Sequence, residues 1–185
     1  TEDFLLLPGD NYINAESIAR IKKEKNAMLV AEHPNPSNFG VVVIRNGFVR
    51  EIIEKPEEAP TFTVATGIYS FTPDVFSYIQ TNEIPDALAA MIESGRRIRA
   101  IPADDWQDAV YPWDLLKLNS RMLRGISPEI GGTVDASVTR RGAVRIGSGT
   151  TIGPNTVIYG PVTIGSNCNI GPNCVIMPDT SIGDR

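Results

Sequence analysis

Isoleucine occupies every sixth position near the end of the chain, seven times in succession. This period fits neither an amphipathic helix, whose apolar positions recur about every three to four residues, nor an alternating strand. A small or β-branched residue stands two positions before each isoleucine, and glycine follows five of the seven. The pattern predicts a parallel β-helix with one strand and one corner per hexad; a run of short antiparallel strands is the alternative. The repeated residues are Ile146, Ile152, Ile158, Ile164, Ile170, Ile176 and Ile182.

Ahead of this repeat, short apolar runs alternate with helical patterns. Asn46-Gly47 between two apolar runs predicts a β-hairpin, and Asn14 is a candidate helix N-cap. Strands alternating with helices predict an α/β fold with a largely parallel sheet, whose ligands bind beyond the carboxyl ends of the strands. Strands are predicted at 4–7, 27–32, 40–44, 48–53, 65–71 and 97–101, and helices at 15–25, 75–80, 84–94 and 112–124.

Three segments are predicted: an α/β unit over 1–124, a linker over 125–132 and the β-helix over 133–185. The chain starts at Thr1, directly before an apolar run that suggests a buried strand. The last hexad stops at Asp184-Arg185 without a polar cap, which a solenoid needs for solubility. We therefore expect these residues to be an internal piece of a longer protein.

Composition narrows the possible partners. The net charge of −5 and the pI near 4.9 argue against a nucleic-acid surface, which is usually basic. No apolar run approaches the ~18 residues that span a bilayer, so a cytoplasmic protein without membrane contact is expected. Cys168 and Cys174 both fall in the small inward slot of the hexad, where a buried apolar role is favoured over a disulfide or a metal site.

Two aspartates follow predicted strands and could share a divalent cation. Asp10 comes after the first strand, and Asp108 lies in a predicted polar loop, 104–108, after the strand at 97–101. Mg²⁺ takes hard oxygen ligands, typically one or two carboxylates together with substrate phosphates. The alternative for either residue is a turn or a cap.

Further candidate residues stand at other strand ends. Lys55 could neutralise a phosphate and Glu54 could accept hydrogen bonds from sugar hydroxyls, although a solvated charge pair is the alternative. Gly67, which follows Thr66 within a predicted strand, indicates either a β-bulge or a ligand close to the backbone. Trp106 suits packing as well as binding.

Five motifs, in order and over nearly the whole chain, resemble the sugar-1-phosphate nucleotidylyltransferases, including their two-domain members with a left-handed β-helix. The resemblance is to the enzymes that make thymidylyl or uridylyl sugars. The motifs are Leu5-Leu6-Leu7-Pro8-Gly9-Asp10-Asn11, Phe39-Gly40-Val41-Val42, Ile53-Glu54-Lys55-Pro56, Ala65-Thr66-Gly67-Ile68-Tyr69 and Trp106-Gln107-Asp108 with 112–119.

The resemblance implies a reaction of a nucleoside triphosphate with a sugar-1-phosphate to give a nucleotide sugar and pyrophosphate. It implies that Asp10 and Asp108 hold Mg²⁺, that Lys55 contacts the sugar phosphate and that Glu54 contacts the sugar hydroxyls. The sugar pocket and its wall would be formed by Gly40, Thr66, Gly67 and Trp106.

The resemblance also leaves questions open. The Gly-rich loop and Pro-Lys pair that hold the nucleotide in this family are absent here, so the whole protein is expected to be active and these 185 residues alone inactive. The leading substrate pairs are dTTP with glucose-1-phosphate and UTP with N-acetylglucosamine-1-phosphate, ahead of GTP with mannose-1-phosphate and ATP with glucose-1-phosphate. A homo-oligomer, a trimer through the β-helix or a multiple of it, is expected.

Two other functions compete. β-Helix domains of this kind also serve as acyltransferases, commonly with a catalytic histidine, which would make the whole protein bifunctional. The one histidine of this chain, His33, lies in the α/β unit, so such chemistry would need further coils. The other alternative is a regulatory homologue that binds sugar nucleotides without catalysis.

Overall fold

The computed structural model describes residues 2–185, and its contacts divide the chain into two compact units. The first unit ends at Asp108 and the second spans 109–185. None of the helices in the described residues is long and apolar enough to cross a membrane.

The first unit is built on a six-stranded mixed sheet with two helices. Its strands are β1 Phe4–Leu6, β2 Asn11–Ile13, β3 Ala27–Glu32, β4 Gly40–Arg45, β5 Phe48–Glu54, β6 Thr63–Phe71, β7 Arg99–Pro102 and β8 Trp106–Asp108, and its helices are α1 Ala15–Ile21 and α2 Ile84–Glu93. The strand order is β1-β6-β3-β7-β5-β4, with β4 also pairing with β6. Strands β2 and β8 form a separate two-stranded sheet.

The predicted largely parallel sheet is wrong. Only β3 and β7 run parallel, and every other pairing in the six-stranded sheet is antiparallel. The reason lies in the connections, because parallel neighbours need a long crossover whereas β4 and β5 are joined by the two-residue turn Asn46-Gly47. Both turn residues have positive φ, 54° and 77°, as the predicted hairpin requires.

Local signals set the helix ends. The predicted Asn14 cap is confirmed, since its side chain accepts a hydrogen bond from the Ser17 N–H. Helix α2 ends just before Gly95, which has a φ of 89°. The predicted helix over 75–80 is instead a short 3-10 turn at Pro73–Ser77.

The core of the first unit lies on both sides of strands β3 and β6. Met28 and Phe71 pack with α2 on one side, and Leu29 and Ile68 pack against Ile21 of α1 on the other. The run at 4–7 is not a buried strand as predicted, because β1 is an edge strand and Leu7 is 46% exposed.

The second unit is a parallel β-helix preceded by helix α3, Asp114–Leu123. Its strands stack in three sheets, with order β10-β13-β16, β11-β14-β17 and β18-β15-β12-β9. The strands are β9 Glu129–Ile130, β10 Thr133–Val134, β11 Thr139–Arg141, β12 Val144–Ile146, β13 Thr151–Ile152, β14 Val157–Tyr159, β15 Val162–Ile164, β16 Asn169–Ile170, β17 Val175–Ile176 and β18 Thr180–Ile182.

The hexad prediction is confirmed in register, and five of the seven isoleucines are buried, whereas Ile170 and Ile182 are partly buried. Val144 pairs with Val162, and Val162 with Thr180, so stacked strands lie three hexads apart. Ile146, Ile152, Ile158 and Ile164 are at most 1% exposed. In the small slot, Thr150 and Thr156 are fully buried and donate hydrogen bonds to the carbonyls of Gly165 and Gly171. Both cysteines are free, and Cys168 is buried.

Helix α3 lies against this β-helix. The Asn119 side chain donates to the Asp179 carbonyl at 2.7 Å and accepts from the Ser181 hydroxyl at 2.6 Å. Strand β9, within the segment predicted as a linker, pairs with β12.

Candidate active site

Strands β2 and β8 bring the two candidate aspartates to one place. Asn11 is the partner of Asp108 in this antiparallel pair, and Asp10 directly precedes Asn11. The sequence predicted no element at 11–13 and a loop at 104–108, so both strands were missed. Each strand has only three residues, too few for a period-two pattern to show.

Asn11 links Asp10 to the candidate tryptophan. The indole Nε1–H of Trp106 donates to Asn11 Oδ1 at 2.5 Å, and Asn11 Nδ2 donates to Asp10 Oδ1 at 3.1 Å. Asn11 orients the Asp10 carboxylate and was not singled out from the sequence. Its position directly after the aspartate, with a hydrogen-bonding amide, was the available signal.

The donor set suits Mg²⁺. Asp10 is exposed and Asp108 half-buried, so carboxylate oxygens are accessible from solvent. Within residues 2–185, no group of three or more His, Cys, Asp or Glu side chains could hold a metal. One carboxylate directly before β2 and another at the end of β8 match an ion that takes one or two protein ligands and completes its shell with phosphates and water.

A second part of the candidate site lies at the open end of the β4–β5 hairpin. Gly40 pairs with Glu54, and a Cβ added at Gly40 would lie 3.0 Å from Glu54 Oε2. Any larger residue at position 40 would therefore press on the carboxylate. Gly40 keeps this end of the hairpin clear for Glu54.

Lys55 has an unusual backbone for a lysine, with a φ of 42°. Left-handed residues other than glycine are uncommon and cluster at functional sites. The Lys55 N–H donates to the Phe39 carbonyl at 3.1 Å, which holds this conformation. Its Nζ lies 3.8 Å from Glu54 Oε1, and because both side chains are more than half exposed, the pair adds little stability and leaves both groups accessible.

Phe39 joins the two parts of the candidate site. Its ring packs edge-on against Trp106 at 5.8 Å between centroids and against His33 at 4.5 Å. The aspartate strands are thereby held beside the start of β4. Phe39 had no role in the sequence predictions beyond its motif, although an aromatic residue directly before Gly40 was a visible signal.

Thr66 and Gly67 form a β-bulge in β6, which confirms one of the two sequence interpretations. Three residues of β6 lie opposite Leu29, and the buried Thr66 hydroxyl donates to the Leu29 carbonyl at 2.9 Å. Gly67 has a φ of 78°, and an added Cβ would lie 2.7 Å from Pro8 Cγ. Gly67 thus supports the segment leading to Asp10, and the substrate-binding role of both residues stays a prediction.

Tyr69, in strand β6, is a buried tyrosine whose pKa is shifted. Burial, and secondarily the negative charge of Glu54, raises the pKa of Tyr69 to about 12. Tyr69 is 5% exposed and stacks on Phe71 with centroids 5.4 Å apart. It is a neutral core residue at neutral pH.

Residues 1–124 match the model of the family described as nucleotidyl transferase. Residues 143–178 and 161–185 match the bacterial transferase hexapeptide model, which describes six repeats. The first match covers the whole candidate site, and the second covers the β-helix from β12 onward.

Two named proteins and one solved structure are similar to this chain. The bifunctional protein GlmU of Methanococcus aeolicus is 35% identical over 163 residues, which are 82% of this chain and 39% of that protein. The UTP–glucose-1-phosphate uridylyltransferase AglF of Haloferax volcanii is 38% identical over 65% of this chain and 57% of its own length. A crystal structure of a putative glucose-1-phosphate thymidylyltransferase from Bacillus anthracis, with sucrose, has a TM-score of 0.57 and 26% identity and covers 70% of this chain and 57% of that one.

Proposed function

The chain belongs to the nucleotidyl transferase family, and on that premise we propose that the whole protein transfers a nucleotidyl group from a nucleoside triphosphate to a sugar-1-phosphate, releasing pyrophosphate. The observation that supports the proposal is the pairing of β2 with β8, in which Asn11 pairs with Asp108 and Asp10 directly precedes Asn11, in the part of the chain matching that family. The chain spans about two fifths of the length of the GlmU relative, so the activity is proposed for the whole protein.

The reaction brings two anions together, so catalysis consists mainly of positioning and charge neutralisation. In the proposed arrangement, the ammonium of Lys55 binds the phosphate of the sugar-1-phosphate, and its exposed position leaves it free to do so. Glu54 accepts hydrogen bonds from sugar hydroxyls in the space that Gly40 keeps open. Trp106, held by Asn11 and Phe39, forms a wall next to the aspartates.

Asp10 and Asp108 would hold Mg²⁺, which would supply positive charge to the phosphate oxygens. Asn11 fixes the orientation of one of these carboxylates through its side-chain amide. Gly67 keeps Pro8, and with it the approach to Asp10, in place.

UTP and dTTP are the proposed nucleotides, and glucose-1-phosphate and N-acetylglucosamine-1-phosphate the proposed sugars. The uridylyltransferase and thymidylyltransferase named above support these nucleotides and glucose-1-phosphate. The predicted cytoplasmic location stays a prediction.

The test is pyrophosphate release by the whole protein, with four nucleoside triphosphates and a panel of sugar-1-phosphates, with and without Mg²⁺. One pair should react, and Asp108→Asn should lower kcat by about 10²-fold or more, the size expected when one strong electrostatic group is lost. Asp104→Asn is the matched control, because this carboxylate forms an exposed ion pair with Arg20 and should leave the rate unchanged.

If the folded protein releases no pyrophosphate with any substrate of the panel, the proposal is overturned and the regulatory alternative is favoured.

Lys55→Gln separates binding of the sugar-1-phosphate from binding of the nucleotide. We expect a higher KM for the sugar-1-phosphate and a smaller change for the nucleotide, because the lysine is assigned to the sugar phosphate alone.

We also propose that the chain forms a homotrimer through one face of the β-helix. The outward side chains of the β11-β14-β17 sheet include Tyr159 and Val175, and Met177 directly follows β17; the last two are about 60% exposed. The other two sheets carry mainly polar outward residues, such as Thr151 and Thr163. In sedimentation velocity, Val175→Asp should shift the protein to monomer and Thr163→Asp should not; the same trimer from both variants would exclude this face.

A second transferase activity is the other candidate. It is favoured by the hexapeptide match and by the bifunctional naming of the GlmU relative. Acetyl-CoA-dependent acetylation of an amino-sugar phosphate by the whole protein would establish it. Absence of that activity in a protein active in pyrophosphate release would exclude it.

A further inference from the structure

Four arginines surround one depression at the turn of the β4–β5 hairpin. Arg45 and Arg50 come from the hairpin, and Arg96 and Arg97 follow α2. The depression has a volume of about 220 Å³. Its remaining lining residues are Asn46, Phe48, Val49, Ile92 and Gly95, so no carboxylate lines it.

This concentration of positive charge is unusual for the chain, which carries 22 acidic and 17 basic residues. Another charged depression of the first unit shows the ordinary arrangement, with Lys22, Lys23 and Lys25 accompanied by Asp3 and Glu24. Basic residues after a helix complement its dipole, which accounts for the two arginines after α2. It does not account for Arg45 and Arg50, which belong to the sheet.

Three of the four arginines have no carboxylate partner within residues 2–185. Arg96 is paired with Asp74 at 2.7 Å. For Arg45, Arg50 and Arg97, no carboxylate of residues 2–185 lies within ion-pair distance. Like charges held around one concavity repel each other, and an anion bound between them would relieve that repulsion.

The depression is also partly preformed. The Arg97 guanidinium lies 3.8 Å from the centre of the Phe48 ring, a cation–π contact that restricts its position. Gly95, with a φ of 89°, turns the chain so that Arg96 and Arg97 face the hairpin. Ordering of these side chains before binding lowers the entropy lost on binding.

We propose that this arginine pocket, lined by Arg45, Arg50, Arg96 and Arg97, binds a small anion with two adjacent phosphoryl groups. Guanidinium groups recognise phosphate oxygens by paired N–H donors, and several of them around one point favour a multiply charged ion over a single phosphate. The volume lies below the roughly 300–1,000 Å³ of pockets for drug-sized ligands, which favours a compact ion. The pocket is separate from the candidate active site, and the proposal does not depend on the proposed reaction.

The test is calorimetric titration of the 185-residue chain with inorganic pyrophosphate at low ionic strength, in EDTA so that metal-dependent binding is removed. Arg45→Gln/Arg50→Gln should weaken binding at least tenfold. Lys22→Gln/Lys23→Gln removes the same charge from the mixed depression and should change the affinity less than twofold. Orthophosphate should bind more weakly than pyrophosphate to the unaltered chain.

Lys55→Gln distinguishes this pocket from the candidate active site. Binding that survives Lys55→Gln and is lost in the double arginine variant supports the proposal. Binding lost in Lys55→Gln and kept in the arginine variant overturns it and leaves the proposed function intact. Absence of binding to the unaltered chain at millimolar pyrophosphate, or equal loss in the arginine and lysine double variants, also overturns it.

Discussion

The two units of this chain bury their side chains by different rules. In the β-helix, Ile146 and Ile164 occupy the same place in successive coils, and each is 1% exposed. In the first unit, Leu6 and Ile68 both belong to strands of one sheet, yet the first is 36% exposed and the second fully buried. Position within the hexad determines burial in one unit, and the identity of distant neighbours determines it in the other.

The difference follows from which strands pair within each unit. From β10 onward, a β-helix strand pairs with the strand three hexads away, as Ile158 pairs with Ile176. A strand of the first unit pairs with segments at many separations, as Asn11 pairs with Asp108. Substitutions in the β-helix should therefore have effects that the repeat predicts, and those in the first unit effects that only the contacts predict.

The largest expected effect is truncation inside the β-helix. Ile158 is fully buried, and Ile158→Ala should lower the free energy of unfolding by about 2–5 kcal/mol, the usual cost of removing a large buried aliphatic side chain. Urea unfolding followed by circular dichroism measures it. Thr163→Ala, on an outward position of the same unit, should change stability by no more than about 0.5 kcal/mol. Equal effects of the two substitutions would mean that the hexad does not determine packing.

The next largest effect is expected at Gly67 of the first unit, where backbone strain and a close contact with Pro8 act together. Gly47 and Gly67 have nearly equal φ, 77° and 78°, but an added Cβ meets no atom within 4 Å at Gly47 and Pro8 Cγ at 2.7 Å at Gly67. Gly47→Ala measures the backbone cost alone, about 1–2 kcal/mol. Gly67→Ala should cost a further ~1–3 kcal/mol from overpacking. If the two variants unfold at the same urea concentration, Pro8 is not held by this contact.

Two glycines of the β-helix test whether close contact with the next coil determines the cost of adding a side chain there. Gly147 and Gly171 both follow an inward isoleucine, but an added Cβ at Gly147 would lie 2.6 Å from the Gly165 carbonyl carbon, whereas none lies within 4 Å at Gly171. Gly147→Ala should destabilise by about 1–3 kcal/mol. Gly171→Ala should be nearly neutral, as an uncrowded surface substitution. Thermal unfolding of both variants of the 185-residue chain gives the comparison, and a neutral Gly147→Ala would show that the coils can separate without cost.

The smallest expected effect is a change of stability with pH, caused by ionisation of a tyrosine in the core of the first unit. Because the pKa of Tyr69 rises from 10.0 to about 12 on folding, the native state holds this proton more tightly than the unfolded state does. The stabilisation is fully present below pH 10 and is lost as the pH rises toward 12, by about 1.4 kcal/mol per pH unit in that window. Tyr69→Phe should remove this part of the alkaline loss, measured as the difference between the two urea midpoints at pH 9 and pH 11. Parallel pH profiles for the two proteins would contradict the burial of this phenol.

Much of the first unit was accessible from sequence where the signal was local. Asn46-Gly47 predicted the hairpin and Asn14 the helix cap, because both act through neighbouring backbone groups. Whether neighbouring strands run parallel or antiparallel could not be predicted from the sequence, since it depends on which strands pair. The two aspartates were named from their positions after predicted strands, whereas the roles of Asn11 and Phe39, which hold the surrounding parts together, were recognised from their contacts.

The sequence by itself determined the β-helix, because a repeat of six with an inward isoleucine leaves one efficient way to bury its apolar residues, and each coil repeats the contacts of the last. Through its resemblance to the nucleotidylyltransferases, it also indicated which carboxylates, lysine and glycines could carry the chemistry, and those roles stay predictions. Only the tertiary structure decided that Asn11, the residue after Asp10, pairs with Asp108, that the Thr66 hydroxyl donates to the Leu29 carbonyl, and that four arginines line one depression. Such contacts join residues far apart along the chain, and their formation depends on the packing of the whole unit rather than on any local pattern.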